Sequence, residues 1–266
     1  MYLTLGNIPK EIRRKPSSGA YILLGYLPTT HLEHLSNKSA KRRCLVNLYH
    51  ACMKKIFDPL ESAGAIGIPM TTGNGLLHRV HPILACVAVD YPEQVLTTAV
   101  VSMECPACPT RRDSLGTFDP RKGPPELWDL DGVLDVLDSF DHDPSGFLQA
   151  CDAAGIKPII EPFWKDLPYV NIYQSITPDI LHQLYQGVIK HLVAWVLASY
   201  GIAEIDARCR RLPPNHNIRL FMKGISSLSR VTGREHDQMA HILLGLVLHQ
   251  QILTDLARSG QVCIAP

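Results

Sequence analysis

The chain has 266 residues, a formal net charge of +1 and 46% hydrophobic residues. This composition supplies enough apolar side chains for a core and excludes a polycation, so any nucleic-acid surface must be a local patch. No uninterrupted apolar run reaches membrane-spanning length. Eight cysteines and no recognisable secretory leader predict a reducing compartment.

The first elements are predicted to be two strands, over residues 2–6 and 20–27, and an antiparallel pair is the simplest arrangement for them. The stretch SAKRRCLVNLYHACMKKIFDPL then predicts a helix, which Asn37 or Ser39 can cap and which Pro59 ends or kinks. Its apolar side chains recur at helical spacing, at Leu45, Leu48, Cys52 and Ile56.

Residues 80–90 are predicted to form a central strand, which the two early strands join in one sheet. The apolar, β-branched run in this stretch ends at Asp90, and Pro92 and Glu93 then open a helix. A carboxylate between a strand tip and a helix start can hold a divalent metal. The same residue can simply cap a helix or a turn, and the spacing alone favours that interpretation.

Cys105 and Cys108 form a C-x-x-C pair shortly after this helix. The pair is half of a zinc site, which His182, His191 or Cys209 could complete from a distance. Two structural thiols are an equally good interpretation, and a redox motif is a weaker one.

Residues 109–128 read as a loop, and residues 129–154 as two short helices with Gly155 as the stop. Residues 156–176 have no regular pattern. The two-helix segment is acidic, which favours a solvated helix face over a metal cluster. Its acids are Asp129, Asp131, Asp135, Asp138, Asp141 and Asp143.

The strongest helical pattern follows, with Thr177 as the predicted N-cap and Pro178 in the first position. Asp179 and His182 are neighbours on its polar face, which faces either water or a functional site. The opposite face is predicted to be apolar, with Leu181, Leu184, Val188, Leu192 and Trp195.

Residues 208–219 are predicted to be a basic, proline-broken loop, and Glu235 to Arg258 a final helix. Three basic clusters raise the odds of phosphate contacts. Their candidate DNA-binding residues are Arg13, Arg14, Lys41, Arg42, Arg43, Arg208, Arg210 and Arg211.

Several stretches together resemble the Plavaka transposases, a fungal family related to the CACTA group of cut-and-paste elements. They are YLTLGNIPKEIRRKPS, DYPEQ, ECPACP, LPYVNIYQSITPDILHQLYQGVIKHL and RCRRLPPNHNIRLFMKGISSLSRVTGREH. The resemblance covers nearly the whole chain and is least marked in residues 112–145 and at the C-terminus.

The resemblance implies an α/β, ribonuclease-H-like core with a D-D-E metal triad, of which Asp90 is the second acid. Cys105 and Cys108 match the family's C-x-x-C, and Asp179 and His182 match its D-x-x-H. The first acid is then expected before Met1 and the third beyond the chain, with Glu235 as the only in-chain candidate.

The implied organisation is an incomplete catalytic core over residues 1–110, a loop-rich acidic insertion over 111–176 and a helical region over 177–266. The resemblance also implies Mg²⁺ or Mn²⁺ in the intact parent, possible zinc, transposon-end DNA as partner, a possible homo-oligomer, no membrane and a nuclear location. The chain alone is expected to be a transposase fragment. The alternatives are a non-catalytic DNA- or partner-binding remnant and a zinc-stabilised structural domain.

Overall fold

The computed structural model describes residues 1–114, 123 and 125–248. The chain divides into two compact units, Met1–Thr177 and Pro178–Pro266. Part of the predicted loop 109–128 and the end of the last predicted helix, which includes Ile252, Leu253 and Arg258, lie outside the described residues.

Within the described residues, six short strands form three separate two-stranded sheets. They are β1 (Tyr2–Thr4), β2 (Tyr21–Leu23), β3 (Ile68–Thr71), β4 (Leu77–Val80), β5 (Val87–Val89) and β6 (Ile176–Pro178). The predicted antiparallel pairing of β1 with β2 is confirmed, with Leu3 opposite Ile22. β3 and β4 form an antiparallel hairpin in a stretch that the sequence analysis treats as connecting chain.

The predicted central strand over residues 80–90 is wrong in length and in partners. Apart from Val80, which ends β4, only β5 is a strand there; β5 pairs with β6, and β1 and β2 do not join its sheet. A central strand must be buried on both faces, whereas Ile83 is 50% exposed. His81 and Pro82 instead hold this stretch against the first long helix, where His81 Nδ1 lies 2.8 Å from the Gly64 carbonyl oxygen.

The first long helix, α2, spans Lys38–Ile66 and follows the short helix α1 (Lys10–Arg13). Asn37 caps it, as predicted, by accepting hydrogen bonds from the Ser39 and Ala40 amides at 2.9 and 3.0 Å. Pro59 lies inside the helix and does not end it. The buried face lies beside the predicted stripe and consists of His50, Met53, Phe57 and Gly64.

Gly64 is required by close packing. A Cβ at this position would lie 2.5 Å from the Pro168 Cγ and 3.0 Å from the Pro82 carbonyl oxygen. The late segment of the first unit, residues 128–173, can therefore pack directly on the α2 backbone.

Residues 129–154 form the two predicted helices, α4 (Leu130–Asp138) and α5 (Phe147–Ala154), and Gly155 ends α5 with φ of 75°. Val133 and Leu137 face the core. Asp138 accepts a hydrogen bond from the Lys165 ammonium. Among the described residues no group of three or more His, Cys, Asp or Glu side chains is placed to hold a metal ion, so the acidic segment forms no such cluster there.

One apolar core runs through the first unit and joins α2 to the segment 128–173. Its most deeply buried large side chains include Leu137, Ile156, Ile159, Phe163, Ile172 and Tyr173. The segment predicted as a loop-rich insertion therefore supplies most of this core.

Helix α3 (Tyr91–Thr97) ends inside the core, and its last carbonyl groups and those of the following turn are bound by distant side chains. Helix ends leave such carbonyls without partners, and burial makes an unmet partner costly. The bonds run from His50 Nε2 to Leu96 O (3.0 Å), Trp164 Nε1 to Thr97 O (2.8 Å), Tyr173 Oη to Thr98 O (3.3 Å), and Lys157 Nζ to Val95 O and Val100 O.

The second unit begins with a π-helix, Ile180–Ile189, which continues as α7 (Lys190–Tyr200). Its N-cap is Asp179, so the prediction of Thr177 as the cap is wrong. The predicted apolar stripe is also wrong, since Leu184, Val188 and Trp195 are exposed. In a π-helix the hydrogen bonds run from i to i+5, which changes the angle between successive side chains from the α-helical value.

Helices α8 (Ile202–Arg211) and α9 (Gly233–Val247) complete the second unit's described elements, and short helix α6 (Ile172–Ser175) belongs to the first unit. The prediction of a loop from residue 208 is wrong for its first four residues, which end α8. The helix stops at Leu212 because a residue before proline favours an extended backbone. The unit's core contains Val193, Ile205, Cys209, Phe221, Ile225, Met239, Ile242 and Leu246.

Asp206 connects α8 to the loop that follows it. Its carboxylate accepts hydrogen bonds from the Ile225 and Ser226 amides at 2.9 and 3.2 Å, and from the Ser226 hydroxyl. Burial would raise the pKa of Asp206, but these hydrogen bonds lower it overall. Gly224 has φ of 82°, and a Cβ there would lie 2.1 Å from the Asp206 carboxyl, so the turn requires glycine.

No single helix in the described part of the chain is long and apolar enough to cross a membrane. The pair Ile180–Tyr200 and Ile202–Arg211, bent by 107°, meets that test only when the two are counted together.

We expect His50 to make the first unit sensitive to acid. Burial lowers the pKa of His50 from 6.5 to about 4. Between these values the unfolded chain binds a proton that the native chain does not, so the free energy of unfolding falls as pH falls, by up to roughly 3 kcal/mol. Urea unfolding at pH 7.5 and at pH 5 measures this difference.

The substitution His50→Gln should reduce the difference between the two pH values, because glutamine can still donate to Leu96 O and does not titrate. His31→Gln, at an exposed position, is the matched control and should leave the difference unchanged. An equal pH effect in wild type and His50→Gln would contradict the assignment.

Candidate functional site

Asp90 lies between β5 and α3, as predicted, and it is the N-cap of α3. Its Oδ1 accepts a hydrogen bond from the Glu93 amide at 3.1 Å. Pro92 is in the first turn, and Glu93 places an acid near the positive end of the helix. The capping interpretation of Asp90 is confirmed, and its Oδ2 is not used by the cap.

Glu93 places a second carboxylate at this helix start. No site role was predicted for it from the sequence. Burial, followed by the neighbouring Asp90 charge, raises the pKa of Glu93. A cation close to both carboxylates would relieve this repulsion. The sequence does show an acid three residues after Asp90. That spacing fits a partner for the helix dipole as well as it fits a second site carboxylate.

Two further residues of α3 connect this helix start to its surroundings. The Gln94 side chain donates to the Val89 carbonyl at 2.8 Å and to the Thr177 carbonyl at 3.0 Å, bridging β5 and β6. The Tyr91 hydroxyl donates to the Glu104 carbonyl at 2.9 Å, next to the first cysteine of the C-x-x-C pair.

The C-x-x-C pair lies in a tight loop that Trp128 closes. The Trp128 indole donates to the Cys105 carbonyl at 3.0 Å, and its amide donates to the Ala107 carbonyl at 3.2 Å. Cys108 is buried and Cys105 partly exposed, and both are free thiols. The loop therefore holds the two sulfur atoms on one short segment.

The two thiols are hydrogen-bonded to each other and differ in acidity. Burial raises the pKa of Cys105. Burial also acts to raise the pKa of Cys108, but hydrogen bonds with Thr110 and Cys105 lower it overall. The Cys108 Sγ lies 3.3 Å from the Thr110 Oγ1. Because the thiolate is the form that binds metal, this pair suits half of a zinc site.

Asp179 and His182 lie together at the start of the π-helix. Asp179 Oδ2 accepts from the His182 amide at 2.6 Å and also contacts His182 Nδ1. Hydrogen bonding from the His182 amide lowers the pKa of Asp179. The interpretation that Asp179 orients His182 is therefore confirmed. Since Nδ1 is engaged, Nε2 is the nitrogen left for a ligand, as in carboxylate–histidine–metal arrangements.

The structure thus contains two local pairs, Cys105 with Cys108 in the first unit and Asp179 with His182 in the second. Sharing of one zinc ion by Cys105, Cys108 and His182 stays a prediction. So does Asp90 as a metal ligand.

The candidate DNA-binding residues divide by their contacts. Arg208 is bound to Glu204 and to the Leu246 carbonyl and lies 5.1 Å from the Tyr200 ring centre, which indicates a packing role. Arg211 contacts the same carboxylate at 3.5 Å. The Arg43 guanidinium donates to its own helix's Ser39 hydroxyl. The remaining cations have no ion pair within the described residues; they are Arg13, Arg14, Lys41, Arg42 and Arg210.

A comparison with protein-family models identifies a match to Plavaka transposase over residues 1–196. The chain belongs to the Plavaka transposase family. The match includes Asp90, the C-x-x-C pair and the Asp179–His182 pair. No curated protein and no solved structure matches the chain. The ribonuclease-H-like fold class therefore stays a prediction, and a transposase origin is established by the family match alone.

We expect Asp90→Ala to destabilise the first unit by about 1 kcal/mol, because it removes the N-cap of α3. Asp90→Ser keeps a capping oxygen and should cost only a few tenths of a kcal/mol. Urea unfolding followed by tryptophan fluorescence compares the two variants. Equal stability of the alanine and serine variants would show that the cap does not contribute.

Proposed function

We propose that the chain is part of a DDE-type transposase core, whose metal-dependent cleavage and transfer of DNA strands belongs to the intact parent. The observation that supports this most directly is the position of Asp90 inside the family match. Asp90 follows a strand and starts a helix, and a second carboxylate, that of Glu93, lies three residues later in the same helix. A metal-binding acid of this core is expected in that kind of position.

The donor set does not fit a two-metal site by itself. Two-metal catalysis needs several carboxylates that converge on one pair of ions. Asp90 and Glu93 provide two, and in the described ranges no third His, Cys, Asp or Glu side chain joins them in a metal-holding group. We therefore infer that this chain is catalytically incomplete alone, and that Mg²⁺ or Mn²⁺ acts in the parent.

DNA contact, in this proposal, comes from the cations that have no ion-pair partner among the described residues. Arg13 and Arg14 lie at the end of α1, and Lys41 and Arg42 lie in the first turns of α2. Cations are unfavourable near a helix N-terminus, so the α2 pair has no evident stabilising role there. Contacts to phosphates by such side chains are sequence-independent and weaken steeply with salt.

A zinc-stabilised domain is the second candidate, and the paired thiols favour it. Cys105 and Cys108 supply two sulfur ligands, and the orientation of His182 by Asp179 prepares a nitrogen ligand. His191 remains the candidate for a fourth position, whereas Cys209 is buried in the apolar core of the second unit. Such an ion would contribute folding energy and no chemistry.

We expect the purified chain to leave transposon-end DNA uncut with Mg²⁺ or Mn²⁺, because in the described part of the chain no further carboxylate joins Asp90 and Glu93 in a metal-holding group. A nicking and strand-transfer assay tests this directly. Asp90→Ser is the informative variant, since it keeps the helix cap and removes the carboxylate. Metal-dependent nicking that disappears in Asp90→Ser would show that the site is complete, and the inference of incompleteness would then fail.

For the second candidate, we expect one zinc ion per chain after refolding with Zn²⁺, because two thiols and one imidazole are available as ligands. Cys108→Ser and His182→Gln should each lower zinc retention at least tenfold. Cys44→Ser, at an exposed cysteine, is the control and should retain zinc. Zinc content by mass spectrometry under native conditions gives the result. Loss with Cys108→Ser but not with His182→Gln would exclude His182 as a ligand.

A further inference from the structure

A polar cleft of about 450 Å³ lies in the second unit, between the loop after α8 and the first turns of α9. Its lining contains two guanidinium groups, one imidazole, two side-chain amides and a single carboxylate. The lining residues are His216, Asn217, Ile218, Arg219, Thr232, Arg234, Glu235 and Gln238. Residues 216–238 lie beyond the 196 residues of the family match.

The carboxylate of Glu235 is already fully engaged. Its Oε1 accepts from the Arg219 guanidinium. Its Oε2 accepts from the Thr232 amide at 2.9 Å and from the Thr232 hydroxyl at 3.0 Å, which completes a capping box with the Glu235 amide. These bonds lower the pKa of Glu235, so its charge persists and is matched by Arg219.

Arg234 therefore gives the cleft its surplus positive charge. It lies one residue before Glu235, lines the same cleft, and has no ion-pair partner within the described residues. The first turn of the fifteen-residue helix α9 adds partial positive charge at the same place. An anion in the cleft would face this surplus without displacing an existing ion pair.

The walls of the cleft are held in position before any ligand arrives. Asn215 shapes the loop: its side chain accepts from the Asn217 amide at 2.8 Å, and its carbonyl accepts from the Ile218 amide at 3.3 Å. The Arg219 guanidinium lies 5.5 Å from the Phe221 ring centre and is bound to Glu235. Groups that are already ordered lose little entropy when a ligand binds.

We propose that this cleft binds a phosphate group, with Arg234 as its main anchor and Arg219, His216, Asn217 and Gln238 as further donors. A guanidinium presents a planar fork of N–H groups that matches phosphate oxygens, and the imidazole and amides supply further donors around it. The same chemistry would accept a free di- or triphosphate or a phosphate of a nucleic-acid backbone. The proposal does not rest on the transposase assignment.

Isothermal titration calorimetry of the full chain tests the proposal, with inorganic pyrophosphate in one arm and a short DNA duplex at fixed salt in the other. Arg234→Gln should weaken pyrophosphate binding roughly tenfold or more, because a charge-assisted hydrogen bond is lost. Arg230→Gln removes an equal charge four residues earlier, outside the cleft lining, and should change binding by less than about twofold.

Glu235→Gln gives a change of opposite sign. Glutamine can replace glutamate in a capping box, so α9 should stay capped while the only carboxylate of the lining is removed and Arg219 is released. Pyrophosphate should then bind more tightly. Far-UV circular dichroism and urea unfolding confirm that each variant folds.

The outcomes separate the possibilities. If Arg234→Gln loses both duplex binding and pyrophosphate binding, the ligand is a nucleic-acid phosphate. If it loses pyrophosphate binding and its duplex binding is unchanged, the ligand is a free phosphate compound. No pyrophosphate binding, equal effects of Arg234→Gln and Arg230→Gln, or weaker binding by Glu235→Gln would each overturn the proposal. Pyrophosphate binding without any duplex binding would contradict the DNA-binding proposal and leave this one intact.

Discussion

The hydrogen bonds that close the buried end of α3 are the constraint on which the first unit depends. His50 from α2, together with Lys157 and Trp164 from the late segment, donates hydrogen bonds to buried carbonyls at this helix end, where an unmet acceptor would be costly. Burial lowers the pKa of Lys157 to about 8, so this ammonium is itself held in a poorly solvated place. These bonds tie α2 and the late segment to the helix that Asp90 begins, and further hydrogen bonds, such as those of Tyr49 with Thr97 and of Asn47 with Pro158, add to them.

The two ends of α3 have opposite electrostatic characters. The C-terminal end presents carbonyls to donors, while the N-terminal end gathers Asp90 and Glu93, and burial with mutual repulsion raises the pKa of Glu93. The helix dipole favours both arrangements. The helix does not neutralise the whole charge of the two carboxylates, however, because Asp90 uses only one of its oxygens to cap the helix. A cation at this helix start stays a prediction, since the N-terminal ammonium and a hydrogen bond with Tyr49 already act to lower the pKa of Glu93.

Local signals in the sequence predicted the elements well, and long-range partners poorly. Asn37 as a cap, Gly155 as a stop, and Pro92 with Glu93 in a first turn are confirmed, because each depends on a few neighbouring residues. The prediction of one sheet around residues 80–90 is wrong, because strand pairing depends on distant segments. The side chains that close α3, such as His50 and Lys157, could not be foreseen, since their partners are backbone carbonyls, which leave no pattern in the sequence. The π-helix likewise displaced the face that an α-helical period predicted.

Asp90 and Asp179, the two acids that the sequence motifs bring forward as site candidates, are both N-caps. An N-cap carboxylate lies beside exposed amide groups at the positive end of a helix, and a metal ligand needs a fixed carboxylate with one oxygen available. The cap therefore fixes the side chain that a metal would use, as Asp179 also fixes His182. Loss of activity on alanine substitution cannot distinguish the two roles, because alanine removes the cap as well as the ligand. Serine removes only the carboxylate, so the difference between the serine and alanine variants isolates the contribution of the cap from that of the charge.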